Sequence, residues 1–215
     1  MNAILSDTFY SLPTPFMAYE AKTFTFPDLD GISKKTMDEH VGLYQGYVKN
    51  FNAIKDNMQV LMVDSEKNNH AISELERRLS FEFGGMRLHE YYFPQLEGGP
   101  TPLTANGPFA AAFMKDYGDG SSERIIKLMK NIGGMRGPGW AILYWDPQAK
   151  CLQAGFSGEQ HQGHFVTLPI LLAVDVWEHA YISDYGAQGK GKYLDAFFKN
   201  LNWSVVEKRF EEAAA

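Results

Sequence analysis

The sequence predicts an α+β fold: an N-terminal helical hairpin domain, then an α/β domain with a small three-stranded antiparallel sheet flanked by helices. Three observations point there. Residues up to about 94 hold two long stretches of apolar residues at helical spacing. After Gly133-Gly134 the pattern changes to short apolar runs of strand length, bounded by turn residues. Between the two lies Pro94 to Pro108, rich in Pro, Gly, Thr and Asn. The divisions expected are an N-terminal arm over 1–31, the helical hairpin domain over 32–94, a linker over 95–108 and the C-terminal α/β domain over 109–215.

Taken in order, the arm is punctuated by Pro13, Pro15 and Pro27 and has no sustained period, so it reads as extended chain. Ser33 is a suitable N-cap, because its hydroxyl can accept from an orphan amide of the first turn. Met37, Val41, Tyr44, Val48 and Phe51 then fall on one stripe, predicting a helix to roughly Met58. A second helix is expected from near His70, with Ile72, Leu75, Leu79, Met86, His89 and Phe93 on its apolar stripe. Gly84 and Gly85 lie inside it. Each costs about 1 kcal/mol against alanine in a helix, so the pair implies that something packs or binds close to that backbone. Two short helices are expected near 108–117 and 122–131. Trp140 to Trp145 and Cys151 to Phe156 read as strands joined by an Asp146-Pro147 turn. Leu168 to Val174 is a continuous apolar run of the length of a buried strand. From Lys192 to Phe210 the pattern is helical again, interrupted near Asn202-Trp203.

Composition excludes several classes of function. With 215 residues, 45% of them hydrophobic and 14% aromatic, the chain can bury a large core and is too apolar for disorder. Its net charge of −6 includes no basic patch, so nucleic acid is not an expected partner. The run from Leu168 to Val174 is the longest apolar one and far too short to span a bilayer, so no membrane is expected either. Met1 to Asp7 lack the basic start and apolar stretch of a signal peptide. A single cysteine, Cys151, excludes an intrachain disulfide framework and reads as a structural thiol in a reducing compartment. The expected location is cytoplasmic. No Gly-x-Ser-x-Gly elbow and no phosphate-cradling glycine loop occurs.

The histidines carry more information. Of the six, His40 and His89 each lie on the apolar stripe of an expected helix, and His179 follows Asp175 by four residues. Asp175 ends a buried apolar strand, where an ionised carboxylate is costly unless it is paired or bound to a cation. Three imidazoles and one carboxylate suit first-row metals such as Fe, Mn or Zn, and a carboxylate donor favours redox iron or manganese over copper. Spacing alone leaves a second reading open, in which these are hydrogen-bonded core histidines.

Asp175-Val-Trp-Glu-His-Ala-Tyr181 matches the D-x-W-E-H-A-Y signature of the iron/manganese superoxide dismutases. Gly137-Pro-Gly-Trp140, Lys192-Tyr-Leu-Asp-Ala-Phe197 and Asn202-Trp203 match further segments, and the chain resembles that family from about residue 24 to 210. The resemblance implies a two-helix N-terminal domain and an α/β C-terminal domain. It implies four ligands to one Mn or Fe ion: His40 in the I-S-x-x-T-x-x-x-H pattern, His89, Asp175 and His179. Gln160 falls where many members place a residue that hydrogen-bonds the solvent at the metal, and Gly85 occupies the alternative glutamine position. That combination leans the metal toward manganese. Tyr47 matches the tyrosine lining the substrate funnel. The activity implied is superoxide dismutation by alternate reduction and oxidation of the metal, with Gln160 and Tyr47 tuning solvent and potential. A homodimer through Glu178 and Tyr181 is implied as well. His164 is expected to be structural, and His161 to face solvent or the funnel rim.

The chain departs from the family pattern in three places. The family's histidine pair before the funnel tyrosine is Leu43 and Tyr44 here. His40 and Tyr47 are seven residues apart, one fewer than in the family. At about 100° per residue, a seven-residue step returns to within ~20° of the same helix face, so Tyr47 can face the metal without a bulge. The competing register would put Glu39 at the ligand position. Finally, the family's Arg-Pro after the signature is replaced by Gln188-Gly-Lys-Gly-Lys192, leaving Lys190 or Lys192 as substitutes for the lost cation. These changes support an alternative function: a superoxide-dismutase-like metal-binding protein with a different redox activity or a non-catalytic binding role.

Overall fold

Ser33 starts the first helix as its side chain suggests, its hydroxyl accepting from the Thr36 amide at 3.1 Å. Helix α1 then runs over Lys34–Leu61. The computed structural model describes residues 16–215. The part of the expected arm over residues 1–15, with Pro13 and Pro15, lies outside the described residues. Met37, His40, Tyr44, Val48, Phe51, Ile54 and Met58 are buried at three- and four-residue steps, so α1 presents one continuous face inward. Helix α2, Asn69–Tyr92, returns antiparallel to close the hairpin. Its inward face is buried only from Glu82 onward, while Ile72, Leu75 and Leu79 are half-buried. The far end of the hairpin thus projects from the body.

The described part of the arm runs extended across the hairpin. The Asn52 side-chain amide mimics a strand partner, donating to the Tyr19 carbonyl at 2.8 Å and accepting from its amide at 2.9 Å. Further along, Phe24 and Phe26 pack on Phe93 with ring centroids 4.8 and 5.7 Å away.

The second half holds α3 (Pro108–Tyr117), α4 (Ser122–Gly133), then strands β1 (Trp140–Asp146), β2 (Cys151–Ser157) and β3 (Ile170–Asp175). The sheet has the order β2-β1-β3 with both pairs antiparallel, as the sequence predicts. β3 begins two residues after the start of the apolar run, since Pro169 has no amide to give the ladder and only its carbonyl accepts, from Trp145 at 3.0 Å. The register of the central strand sets Trp140 opposite Ser157 on one side and Asp175 on the other. Helices α5 (Ile182–Tyr185), α6 (Lys190–Lys199) and α7 (Trp203–Ala214) complete the chain, with the break between the last two at the expected place.

One buried network ties hairpin, sheet and C-terminal helix together. The Gln95 amide pairs with the edge of β3 that no other strand covers, donating to the Ala173 carbonyl at 2.7 Å and accepting from its amide at 2.9 Å. Arg209 on α7 donates to Gln95 Oε1 at 3.1 Å, the Leu171 carbonyl at 3.1 Å and the Tyr91 carbonyl at 2.8 Å. Burial lowers its pKa to about 10, which leaves it charged at neutral pH. Arg209→Met keeps the stem but removes the Arg209 donors from the Leu171 and Tyr91 carbonyls, while Gln95 Oε1 keeps the Ala173 amide, so it is expected to lower the unfolding free energy by about 2–4 kcal/mol. Urea unfolding at unchanged slope is the check.

Candidate metal centre

Four side chains meet where the hairpin packs on the sheet. α1 supplies His40, α2 supplies His89, the last residue of β3 is Asp175, and the single 3₁₀ turn after it, Glu178–Ala180, supplies His179. The sequence bends sharply here because the Val176 amide is held by the Gly139 carbonyl at 2.9 Å and the Trp177 amide by Asp175 Oδ1 at 2.8 Å. That turn brings His179 back over Asp175. From Asp175 Oδ2, the Nε2 atoms lie 3.1 Å (His40), 3.5 Å (His89) and 3.0 Å (His179) away. One ligand atom from each of the four lies within 4.8 Å of all the others.

His40, His89 and Asp175 are fully buried, and His179 keeps 19% of its side chain exposed. Burial pushes the His89 imidazole down to about 3, helped by repulsion from His40. Burial lowers His40 too, although Asp175 pulls the other way. For His179 burial opposes the charge, but the charge and hydrogen bond of Asp175 outweigh it and raise the pKa. Burial would raise Asp175 as well. The charge of His179 and hydrogen bonds from His179 and His40 prevail and hold the carboxyl well below the usual carboxylate range. Burial thus disfavours the charged forms of His40 and His89, whereas Asp175 and His179 each favour the other's charged form.

A metal ion fits this set. His89 Nδ1–H donates to the Gly85 carbonyl at 2.6 Å, fixing the tautomer that leaves Nε2 bare. That Nε2 is buried and has no hydrogen-bond partner among the described residues. Donor atoms about 2 Å from one first-row ion stand roughly 3–4 Å apart, close to the spacing found. A cation here would offset the charge of the buried Asp175 carboxylate, which is costly to leave unpaired.

A second layer lies beside it. The Trp140 indole N–H donates to Gln160 Oε1 at 2.9 Å. This leaves the Gln160 Nε2 end to donate to the Tyr47 hydroxyl at 3.0 Å. The Tyr47 ring lies 5.3 Å from that of His89. α1 is regular from His40 to Tyr47 and carries no bulge, so the seven-residue spacing sets both on one face. The close packing expected at Gly84-Gly85 is found at both positions. A Cβ on Gly85 would come within 2.5 Å of the Tyr47 ring, and one on Gly84 within 1.9 Å of the Gln160 carbonyl oxygen.

The remaining candidates lie outside this pair of layers. Glu39 is exposed and accepts from Ser183 Oγ at 3.0 Å, so His40 and not Glu39 joins the cluster. Tyr44 is buried but directed elsewhere: its hydroxyl accepts from the Lys22 amide at 2.9 Å and donates to Glu90 at 3.1 Å. Leu43 is exposed. Lys190 Nζ donates to the Met135 and Gly137 carbonyls at 3.0 and 2.6 Å, which ties it to the turn before β1, and Lys192 is exposed. Glu178 is exposed, whereas Tyr181 is already covered by its own chain and packs 5.8 Å from Tyr193. His161 is half-buried with its ring 5.7 Å from Phe81, which lies 5.9 Å from Tyr47. His70 is exposed at the start of α2. Trp140 was legible only as a motif match. The clue to its contact is that a buried indole N–H needs an acceptor.

The family model described as "Iron/manganese superoxide dismutases, C-terminal domain" matches residues 105–209. A "Superoxide dismutase [Fe]" of Sulfolobus acidocaldarius is 30% identical over 208 residues, 90% of this chain and 96% of that protein. One of Aquifex pyrophilus, also "[Fe]", is 34% identical over 192 residues, 86% of this chain and 87% of that protein. A "Superoxide dismutase [Mn], mitochondrial" of Glossina morsitans morsitans is 31% identical over 185 residues, 85% of this chain and 82% of that protein.

Proposed function

Since the chain belongs to the iron/manganese superoxide dismutase family, we propose that it converts superoxide to oxygen and hydrogen peroxide at one Mn or Fe ion held by His40, His89, Asp175 and His179. The observation that carries this reading is the buried cluster of three imidazoles and one carboxylate, with a bare His89 Nε2 in it. Such an ion supplies alternate one-electron reduction and oxidation, so that two superoxide anions and two protons yield one oxygen and one hydrogen peroxide.

The protein's own part is charge balance and proton placement. Asp175 gives the site its single negative charge, and the hydrogen bond from the Trp177 amide holds the carboxylate in one orientation. Gln160 is fixed end to end, because Trp140 occupies its oxygen and Tyr47 receives from its nitrogen. Since the Tyr47 hydroxyl accepts that bond, its own proton is free to be donated. Burial, and next the charge of Asp175, raise the Tyr47 pKa, so the phenol keeps its proton at every working pH.

The Gln160 and Gly85 pairing supports manganese, whereas the Sulfolobus and Aquifex relatives bear iron in their names. Exposed Glu178, next to His179, and neighbouring Tyr181 are the contacts proposed for a homodimer, which sedimentation equilibrium tests. A cytoplasmic location rests on the lone Cys151, and no described helix is long and apolar enough to cross a membrane. The alternative of a metal-binding protein without dismutation is favoured by one observation: Tyr44, at the lost histidine pair, is engaged by Lys22 and Glu90 instead of the site. Purified protein with its metal quantified is expected to dismute superoxide in proportion to bound Mn or Fe. Stoichiometric metal without turnover would establish the alternative instead.

A further inference from the structure

The segment between β2 and β3 carries Gln160 yet contains no helix or strand of its own. Something other than a backbone ladder has to hold this side chain in place. His164 lies at the centre of what does. Its Nε2–H donates to the Gln160 carbonyl at 3.0 Å, with Ser157 Oγ also 3.3 Å away. Its Nδ1 lies 3.3 Å from the Tyr144 hydroxyl on the central strand β1. The Ser157 hydroxyl reaches the carbonyls of Glu159 at 2.7 Å and Gln162 at 2.5 Å, folding the segment into a tight loop around the imidazole. The Gln160 carbonyl is thereby pressed onto α2 at Gly84, where no side chain intervenes.

We infer that His164 is a positioning residue for Gln160: it pins the Gln160 peptide to strand β1, so that the amide can bridge Trp140 and Tyr47. This rests on the function proposed above for Gln160. The side chain is held at its tip by Trp140 and Tyr47, and its backbone is held by His164 against the floor that Gly84 leaves open. Without the imidazole, the carbonyl loses its only side-chain donor among the described residues, and the loop is free to lift from α2. An outer partner of this kind is worth about 10- to 100-fold when removed.

The test uses the metal-loaded protein and three variants. His164→Leu removes both hydrogen bonds. His164→Gln restores a donor for the Gln160 carbonyl. Gln160→Ala gives the reference for a lost amide. His164→Leu is expected to keep its metal but to move the metal's reduction potential and visible spectrum in the direction of Gln160→Ala, with dismutation per bound metal falling about tenfold or more. His164→Gln is expected to recover most of both. Should the leucine variant not fold, Tyr144→Phe removes only the hydroxyl at Nδ1 and is expected to shift the potential the same way by less. A lower melting temperature with unchanged potential, spectrum and per-metal activity would overturn the inference and leave His164 a merely structural residue. Potential and spectrum are read whether or not the protein turns over superoxide, so a wild type without dismutation would sink the proposed function separately.

Discussion

Asp175→Asn is expected to lose the metal and all dismutation while the chain still folds. The substitution keeps the shape of the side chain. Its oxygen can still accept from the Trp177 amide, and its NH₂ group takes the place of Oδ2, which three imidazole nitrogens face at 3.0–3.5 Å. What disappears is the negative charge at the centre of a buried site. Removing a residue one layer out from a metal already costs about 10- to 100-fold in affinity, so loss of the only anionic donor should exceed that range. Stability should fall by up to about 3–5 kcal/mol, since the substitution removes one partner of a buried pair and leaves His179 in place. Metal analysis after dialysis against a chelator, with circular dichroism on the same sample, checks both halves. Full metal retention would mean that the ion binds elsewhere.

Gly84→Ala is expected to spare the metal and damage the chemistry. Its Cβ would stand 1.9 Å from the Gln160 carbonyl oxygen and 2.7 Å from the carbonyl carbon. Backbone cannot rotate out of the way as a side-chain tip can, so either α2 or the loop must move. The loop yields, because α2 is clamped at His89 and the loop has no ladder. Overpacking of this kind costs about 1–3 kcal/mol, partly offset by the ~1 kcal/mol that alanine gains over glycine in a helix. Stability therefore falls modestly. Activity per bound metal is expected to drop at least as far as in Gln160→Ala. Gly85→Ala makes a useful contrast, as its clash is with the Tyr47 ring at 2.5 Å, and that ring can swing. It should break the Tyr47–Gln160 bond and leave the loop seated. Equal per-metal activity in wild type and Gly84→Ala would refute the account.

Much of the fold was legible in the sequence, for reasons that differ by residue. Local periodicity and capping define α1 and α2, because Ser33 and the stripe from Met37 to Phe51 act within a few turns of one another. The glycine pair announced a close approach, but not what approaches: Tyr47 is 38 positions from Gly85 and Gln160 is 76 from Gly84 along the chain. Convergence of His40 with Asp175 spans 135 positions, and no helical or strand period carries information that far. There the motif match supplied what spacing could not. The choice of His40 over Glu39 needed the helix face itself. Neither the Gln95–Arg209 network nor the tie of Lys190 to the Met135 carbonyl leaves a sequence pattern, since each joins groups far apart along the chain.

The register of the central strand has a consequence for how this protein can change. Trp140 sits between Ser157, which leads into the Gln160 loop, and Asp175, which faces the three histidines. One strand is thus the common datum for the group that holds an ion and the group that adjusts its redox behaviour. A one-residue slip of β1 would turn Trp140 to the opposite face, and both positions would lose their reference at once. Ion retention and redox tuning are mechanically geared to each other here. Descendants can retune one without the other only by exchanging side chains on a fixed frame, so divergence in metal preference should be written in residues such as those at 84, 85 and 160 and not in the sheet.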